Sequence, residues 1–142
     1  MGESFRLAVL LICGASLFSC NSNPSAKYKA VPAAELHARA RTLPLKDRYE
    51  MYLDVYDDRT PRNPVLASDV AALGEPARAY AISRADQADA KELGAILSLL
   101  SVIVSPCSDA ERAVLMRAAK RTDTTDEALE ARRNWIVSAC AS

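Results

Sequence analysis

The sequence predicts an all-α domain, a compact orthogonal bundle of about six or seven helices. Only 4 glycines occur in 142 residues while alanine is abundant, which favours helices because glycine weakens a helix and alanine supports it best. Prolines and capping residues divide the chain into apolar segments of helical length. No segment alternates between apolar and polar residues in the way that is typical of strands. A mass of 15.4 kDa indicates a single domain.

The first four predicted helices lie close to prolines. Proline suits the first turn of a helix, where its missing N–H is not needed. We expect helices over 33–42, 45–57, 66–73 and 76–85. Gly74 is expected to end the third of these, because glycine readily adopts the positive φ of a C-terminal cap.

A long apolar segment is expected to be the central helix. Asp89 is a suitable N-cap for a helix over 90–104, which ends before Pro106. In the stretch LGAILSLLSVIV only two serines are polar, so apolar residues surround the whole helix. A helix of this kind is buried on every side. It is too short to span ~30 Å of hydrocarbon.

Two capping patterns predict a helical hairpin at the C-terminus. Ser108 with Glu111 and Thr124 with Glu127 match the capping box that marks the start of a helix. Residues 121–123 are then the connection between two helices of similar length. At ~1.5 Å per residue, the second helix returns the chain to the level at which the first began.

The two cysteines that flank this hairpin are expected to form a disulfide. The hairpin brings Cys107 and Cys140 to the same end, where two thiols pair if the domain lies in an oxidising compartment. Free structural thiols or a redox pair are the alternatives. No metal site is expected, because two cysteines and the distant His37 offer too few soft ligands.

Part of the chain is similar to one helix pair of a HEAT-type solenoid. The resemblance lies in LGEPARAYAISRA and the apolar stretch that follows it. A short stack of helix pairs is therefore the alternative fold. No second copy at a spacing of ~40 residues is convincing.

The N-terminus indicates export. Residues 7–18 (LAVLLICGASLF) form an apolar run that is too short to span a membrane as a helix and is typical of a signal peptide. The tetrad Leu17-Phe18-Ser19-Cys20 that follows resembles the lipobox of bacterial lipoproteins. The resemblance covers the first 20 residues only, and it implies cleavage before Cys20 and acylation of that cysteine. An ordinary secretory signal and an uncleaved N-terminal anchor are the alternatives.

This interpretation divides the chain into three parts. Residues 1–19 are the signal peptide, residues 20–32 are the lipidated cysteine and a flexible polar tether, and residues 33–142 are the helical domain. Acyl chains hold a domain on a bilayer because each buried CH₂ contributes ~0.8 kcal/mol. The expected location is the cell membrane or the outer membrane, with the domain facing the periplasm. Asn21, in a position where lipoproteins of the inner membrane often carry Asp, favours the outer membrane.

The residue types argue against catalysis. His37 is the only histidine, and helical spacing places it with Leu36 and Ala40 rather than beside a carboxylate that would orient it as a base. No catalytic, phosphate-binding or dinucleotide motif occurs. Because these motifs are absent, we expect no cofactor. The 18 Lys and Arg residues balance the 18 Asp and Glu residues, so we expect no nucleic-acid partner.

The predicted helix over 45–57 has a tyrosine face and an acidic face. The acidic face, here called the acidic ridge, consists of Asp47, Glu50, Asp54, Asp57 and Asp58. It is interpreted as a solvated face opposite tyrosines that pack on the core, or as a docking surface for a basic partner. A third interpretation pairs Glu50 with Asp54 or Asp57 as catalytic carboxylates, which requires one of them to be partly buried.

One arginine falls within the apolar face of the last predicted helix. Arg132 lies between Ala128, Trp135 and Ala139 on the helical wheel. We expect it to extend its charge to solvent or to pair with a carboxylate. A binding role for Arg132 together with Trp135 is the alternative.

These features together predict a non-catalytic protein-binding module that is anchored to an envelope membrane and whose partner is an envelope protein. One alternative is an immunity or inhibitor protein that neutralises an envelope-targeting toxin or hydrolase through the acidic ridge. Another is a purely structural envelope protein.

Overall fold

The computed structural model describes residues 28, 30–57 and 65–141. Within these ranges the fold is all-α, which confirms the predicted class. The helices are α1 (Ala33–Thr42), α2 (Leu45–Val55), α3 (Ala67–Ala71), α4 (Glu75–Arg84), α5 (Ala90–Val102), α6 (Asp109–Thr122) and α7 (Asp126–Ala139). The signal peptide, Cys20, Asp58 and the loop between Pro61 and Pro64 lie outside the described residues.

The central position of α5 is confirmed. Every residue from Leu93 to Leu100 is buried. Helices α3, α4, α6 and α7 pack around α5, and α2 reaches it through the Tyr52 hydroxyl, which donates to the Ala95 carbonyl at 2.7 Å. Packing of this kind around one helix fits a bundle better than a stack, whose repeats contact only their neighbours.

Most helix starts follow the predicted caps. The Asp89 side chain accepts from the Glu92 backbone N–H, and Ser108 forms a complete capping box with Glu111. The start of α7 differs by one residue, because Thr125 rather than Thr124 accepts from the backbone N–H of the third helical residue. Adjacent threonines carry the same hydroxyl, so the pattern alone did not decide between them.

Helices α2 and α3 are shorter than predicted. Tyr56 is already extended, so α2 ends at Val55. Leu66 has a φ of 69° immediately before α3. Gly74 does take a positive φ, 66°, and its N–H donates to the Ala71 carbonyl at 2.8 Å. The strongly bent backbone on both sides of α3 limits that helix to five residues.

The tyrosine face of α2 packs on α5. Tyr49, Tyr52 and Tyr56 are buried and meet edge to face along the helix. The hydroxyls of Tyr49 and Tyr56 lie 3.3 Å from Glu92 Oε1 and Ser98 Oγ of α5, respectively. A small residue is needed where the helices approach, since a Cβ at position 94 would lie 3.0 Å from the Tyr56 hydroxyl oxygen.

The buried phenols make stability sensitive to alkali. Burial is the largest cause that raises the pKa of Tyr49 and of Tyr52 far above the ordinary value of 10.0. The unfolded chain releases these protons above pH 10 while the folded protein keeps them, so stability falls as the pH rises. At about pH 11 we expect Tyr49 and Tyr52 of the folded protein to remain protonated and to contribute nothing to the phenolate absorbance. The folded double variant Tyr49→Phe/Tyr52→Phe should therefore show the same phenolate absorbance as the folded wild type. A smaller absorbance in the variant would contradict the prediction.

The domain begins before residue 33. Tyr28 and Val31, which belong to the predicted tether, are partly buried and pack against the core. The Val31 N–H donates to the Tyr28 carbonyl at 3.0 Å. Ordered packing therefore extends at least to Tyr28.

The hairpin of α6 and α7 carries the predicted disulfide. Cys107 and Cys140 are bonded, with their Cα atoms 4.8 Å apart. The Cys107 N–H also donates to the Cys140 carbonyl at 3.1 Å. Both cysteines are buried, so the bond belongs to the core. Among the described helices, none is long and apolar enough to cross a bilayer.

Candidate functional site

Three members of the acidic ridge, Asp47, Glu50 and Asp54, lie on the solvent side of α2. Asp57 follows the end of this helix, which is shorter than predicted, and Asp58 is outside the described residues. Asp47, Glu50 and Asp57 are exposed and Asp54 is half-buried. The Glu50 carboxylate is 3.9 Å from the Lys46 ammonium group, and both side chains are more than half exposed. Burial of the tyrosines fixes this orientation, because the opposite face of the helix must point outward.

A second cluster joins α1 to α3, and it corrects the expectation for His37. The Nδ1 atom of His37 is hydrogen-bonded to Oδ2 of Asp69, whose side chain is only 2% exposed. The spacing within α1 does place His37 near Leu36 and Ala40, but the carboxylate comes from α3, 32 residues later. Only tertiary packing brings the two together.

Asp69 is fully engaged by its neighbours. Its second oxygen, Oδ1, accepts from Nε of Arg41 at 2.8 Å. Burial alone would raise the pKa of Asp69, but the hydrogen bonds and charges of His37 and Arg41 outweigh it, and the pKa is lowered. The carboxyl group is therefore ionised at neutral pH, and the His37 Nδ1–H is the donor.

A buried arginine supports the same cluster from α2. The Arg48 side chain donates to the carbonyls of Arg41, Leu43 and Asp69 at distances of 2.8 to 3.2 Å. A cation at this place offsets the partial negative charge of the carbonyls at the end of α1. No ion pair with a carboxylate is formed by Arg48 within the described ranges. We call His37, Arg41, Arg48 and Asp69 the Asp69 cluster.

The Asp69 cluster has part of the geometry of a general base. A carboxylate that holds Nδ1 fixes the imidazole tautomer and directs Nε2 away from itself. The His37 side chain is 34% exposed, so solvent reaches it. Nucleophilic catalysis also needs a hydroxyl or thiol on the imidazole, and none from the described part of the chain is hydrogen-bonded to His37.

Asp69→Asn is expected to lower the free energy of unfolding by about 2 kcal/mol at neutral pH. The lowered pKa stabilises the fold above the ordinary pKa range of an aspartate, and this contribution is lost as the pH falls through the lower value of the folded protein. The gap between wild type and variant should therefore narrow in acid. Urea unfolding at about pH 7, 5 and 3 measures it; a gap that is constant with pH would show that Asp69 is not held ionised by its partners.

The expected carboxylate partner of Arg132 is Asp123. Arg132 Nε lies 3.2 Å from Asp123 Oδ2, and the two side chains are 14% and 8% exposed. The Arg132 guanidinium carbon is 5.5 Å from the centroid of the Trp135 ring. This pairing links α7 to the α6–α7 connection, so it accounts for the position of Arg132 without a ligand. The binding role stays a prediction.

Other kinds of site find less support. The described residues contain no group of three or more His, Cys, Asp and Glu side chains that would hold a metal ion.

No family model matches the chain, and neither the curated proteins nor the solved structures include a match.

Proposed function

We propose that the protein is a lipid-anchored, exported protein of the bacterial cell envelope, and that its helical domain binds another protein without catalysing a reaction. The observation that carries the binding proposal is the exposure of the acidic ridge on α2. The lipobox-like tetrad that ends at Cys20 carries the anchor. The two parts of the proposal are tested separately.

Export is supported by the disulfide between Cys107 and Cys140. Such bonds persist mainly in oxidising compartments outside the cytosol. The disulfide joins the start of α6 to the end of α7 at the open end of the hairpin. A signal peptide and a structural disulfide are independent features, and both agree with the same compartment.

Binding is supported by the charge on α2. Asp47, Glu50 and Asp54 lie within two turns, and like charges at this spacing destabilise their own helix. Lys46 is the one cation paired with these three carboxylates among the described ion pairs. The core does not require the ridge, since the buried face of α2 is formed by Arg48, Met51 and the tyrosines. A surface of this kind steers a basic partner and selects against acidic ones.

The ridge is proposed to dock rather than to catalyse. A carboxyl group that works as a general acid is desolvated, as in a hydrophobic pocket. Asp47, Glu50 and Asp57 instead face solvent, and Asp54 is only half-buried, so none of the described ridge carboxylates is enclosed in the core. An immunity or inhibitor protein is the special case of this proposal in which the docked partner is a toxin or hydrolase.

Mass spectrometry of the protein isolated from membranes tests the anchor. We expect a mature chain that begins at an acylated Cys20, and we expect Cys20→Ala to abolish acylation and cleavage at this position. Recovery of the unmodified chain with Met1 or Gly2 at its start would refute the lipoprotein assignment. That result would leave the binding proposal open.

Site-specific photo-crosslinking in living cells tests the ridge. A photoreactive residue at position 50 should capture a discrete partner, and Asp47→Lys/Asp54→Lys in the same chain should remove that product. A photoreactive residue at position 130 of α7 is the matched control, because Glu130 is exposed to a similar extent, 64% against 59% for Glu50. Capture of the same partner at similar yield from position 130, or after charge reversal, would reject the ridge as the docking surface.

A further inference from the structure

We propose that His37 and Arg41 form a binding site for a phosphate group, with Asp69 as the residue that positions both. The site lies on α1 and is separate from the acidic ridge on α2. The inference does not depend on the proposed protein partner. Its ligand class is a phosphate ester or inorganic phosphate.

The first argument is orientation. His37 and Arg41 are four residues apart on α1, so their side chains lie on one face of the helix. Asp69 accepts from Nδ1 of the imidazole and from Nε of the guanidinium group. Nε2 of His37 and the two Nη atoms of Arg41 form no hydrogen bond with the described residues, so they are available as donors. A pair of donors fixed in this way loses little conformational entropy when an anion binds.

The second argument is accessibility. The side chains of His37 and Arg41 are 34% and 71% exposed, whereas that of Asp69 is only 2% exposed. An anion from solvent therefore reaches the donors, while the carboxylate that would repel it stays behind them. Arg41 makes no other hydrogen bond or ion pair through its side chain within the described residues.

The third argument is charge. Only Arg41 pairs with the carboxylate of Asp69, but the buried Arg48 donates to the Asp69 backbone carbonyl, so two guanidinium groups lie close to one carboxylate. Arg48 also satisfies the carbonyls of Arg41 and Leu43 at the end of α1, where a bare helix terminus would repel an anion. The excess positive charge favours an oxyanion. A phosphate group offers several terminal oxygens, so one group can accept from the imidazole and from the guanidinium fork together.

The phosphate can come from a soluble ester or from a phospholipid headgroup. If Cys20 is lipidated, the segment 20–27 that precedes the packed Tyr28 spans at most ~28 Å at ~3.5 Å per residue. The face of α1 that carries His37 then stays within reach of the headgroups. The lipid source alone rests on the proposed anchor.

The single histidine provides the readout. His37 is the single histidine of the full chain, so its ring signals in an NMR spectrum are unambiguous. Inorganic phosphate is titrated at constant pH and ionic strength, with chloride as the balancing anion. We expect a saturable change of these signals in the wild type, and an affinity at least ~10-fold weaker in Arg41→Gln.

Arg39→Gln is the matched control. Arg39 lies on the last turns of the same helix and is also exposed, but it pairs with Glu35 instead of Asp69. The control should bind phosphate as the wild type does. Where Arg41→Gln fails to fold, Arg41→Lys is used instead; it keeps the charge, loses the fork and should also bind more weakly. The absence of a saturable change in the wild type, or an equal loss in the Arg39 variant, would overturn the proposal.

Two further titrations distinguish the sources. If the site binds lipid headgroups, phosphatidylglycerol vesicles should change the His37 signals at a lower phosphate concentration than glycerol phosphate does. If glycerol phosphate acts at the lower concentration, the ligand is a soluble ester. Either effect must depend on Arg41 and not on Arg39. A response to vesicles that is equal in both variants reports insertion of the apolar N-terminus and counts against the site.

Discussion

Replacing Cys107 and Cys140 together by serine is expected to lower the free energy of unfolding by about 4 kcal/mol. The disulfide joins residues 33 positions apart, and closure of a loop of this length restricts the unfolded chain considerably. The two cysteines are only 5% and 1% exposed, so the serine hydroxyls also lose contact with water. Urea unfolding followed by circular dichroism at neutral pH measures the change.

The reductant provides the control for this prediction. Unfolding in excess dithiothreitol should bring the wild type close to the double variant, because both then lack the cross-link. The double variant should respond little to the reductant, and Cys20→Ser should leave the unfolding midpoint of the oxidised protein unchanged. Equal midpoints for oxidised wild type and double variant would contradict the stabilising role of the bond.

Structural features that depend on residues close together in the sequence can be predicted from it. The capping box of Ser108 and Glu111 and the length of the two following helices were enough to place Cys107 next to Cys140. The all-round apolar character of the segment that became α5 predicted its burial in the same way. Each of these signals lies within a few turns of one helix, where backbone geometry determines which residues meet.

The Asp69 cluster was missed because its contacts are tertiary. Asp69 lies in a five-residue helix, 32 residues beyond His37. A signal did exist: at helical spacing Asp69 lies three residues after Leu66, on the same side of the predicted helix, and Leu66 is fully buried. A carboxylate on an apolar face needs a cationic or hydrogen-bonding partner. The same rule predicts a carboxylate partner for Arg132, which Asp123 provides.

The buried arginines Arg48 and Arg78 follow the same rule. Arg48 shares the face of α2 with Tyr49 and Tyr52, and Arg78 shares the face of α4 with Ala77 and Ala81. The sequence identifies such residues as candidates for buried polar contacts. It does not identify the partners, because these are carbonyls and carboxylates from other elements. For Arg48 the partners build the proposed phosphate site, whereas for Arg78 they hold the fold together.

Replacing Arg78 by methionine is expected to lower the free energy of unfolding by about 3 kcal/mol, within the range for breaking a buried ion pair. The Arg78 side chain is 6% exposed and its Nη2 lies 2.7 Å from Glu111 Oε2. The guanidinium group also donates to Ser105 Oγ at 2.9 Å and to the Pro106 carbonyl at 3.0 Å. It therefore ties α4 to the connection that leads into α6, directly beside the disulfide.

The loss should depend on pH, because Glu111 is left without its cation. Burial by itself would raise the pKa of Glu111, but the hydrogen bonds from Ser108 and the charge of Arg78 outweigh it, and the pKa is lowered. Stability from this carboxylate is present above its ordinary pKa and is lost as the pH falls. The difference between wild type and Arg78→Met should therefore be largest at neutral pH and shrink at about pH 3.

Arg117→Met is the matched control for Arg78→Met, since it removes the same kind of side chain from a pair at the surface. Arg117 is 61% exposed and its Nη2 is 3.6 Å from Asp86 Oδ1. Solvent screens such a pair, so the loss of stability should stay below ~1 kcal/mol. Urea unfolding of both variants at two pH values separates buried from exposed charge. Equal losses in the two variants would mean that the contacts of Arg78 with Glu111, Ser105 and Pro106 do not hold α4 against α6.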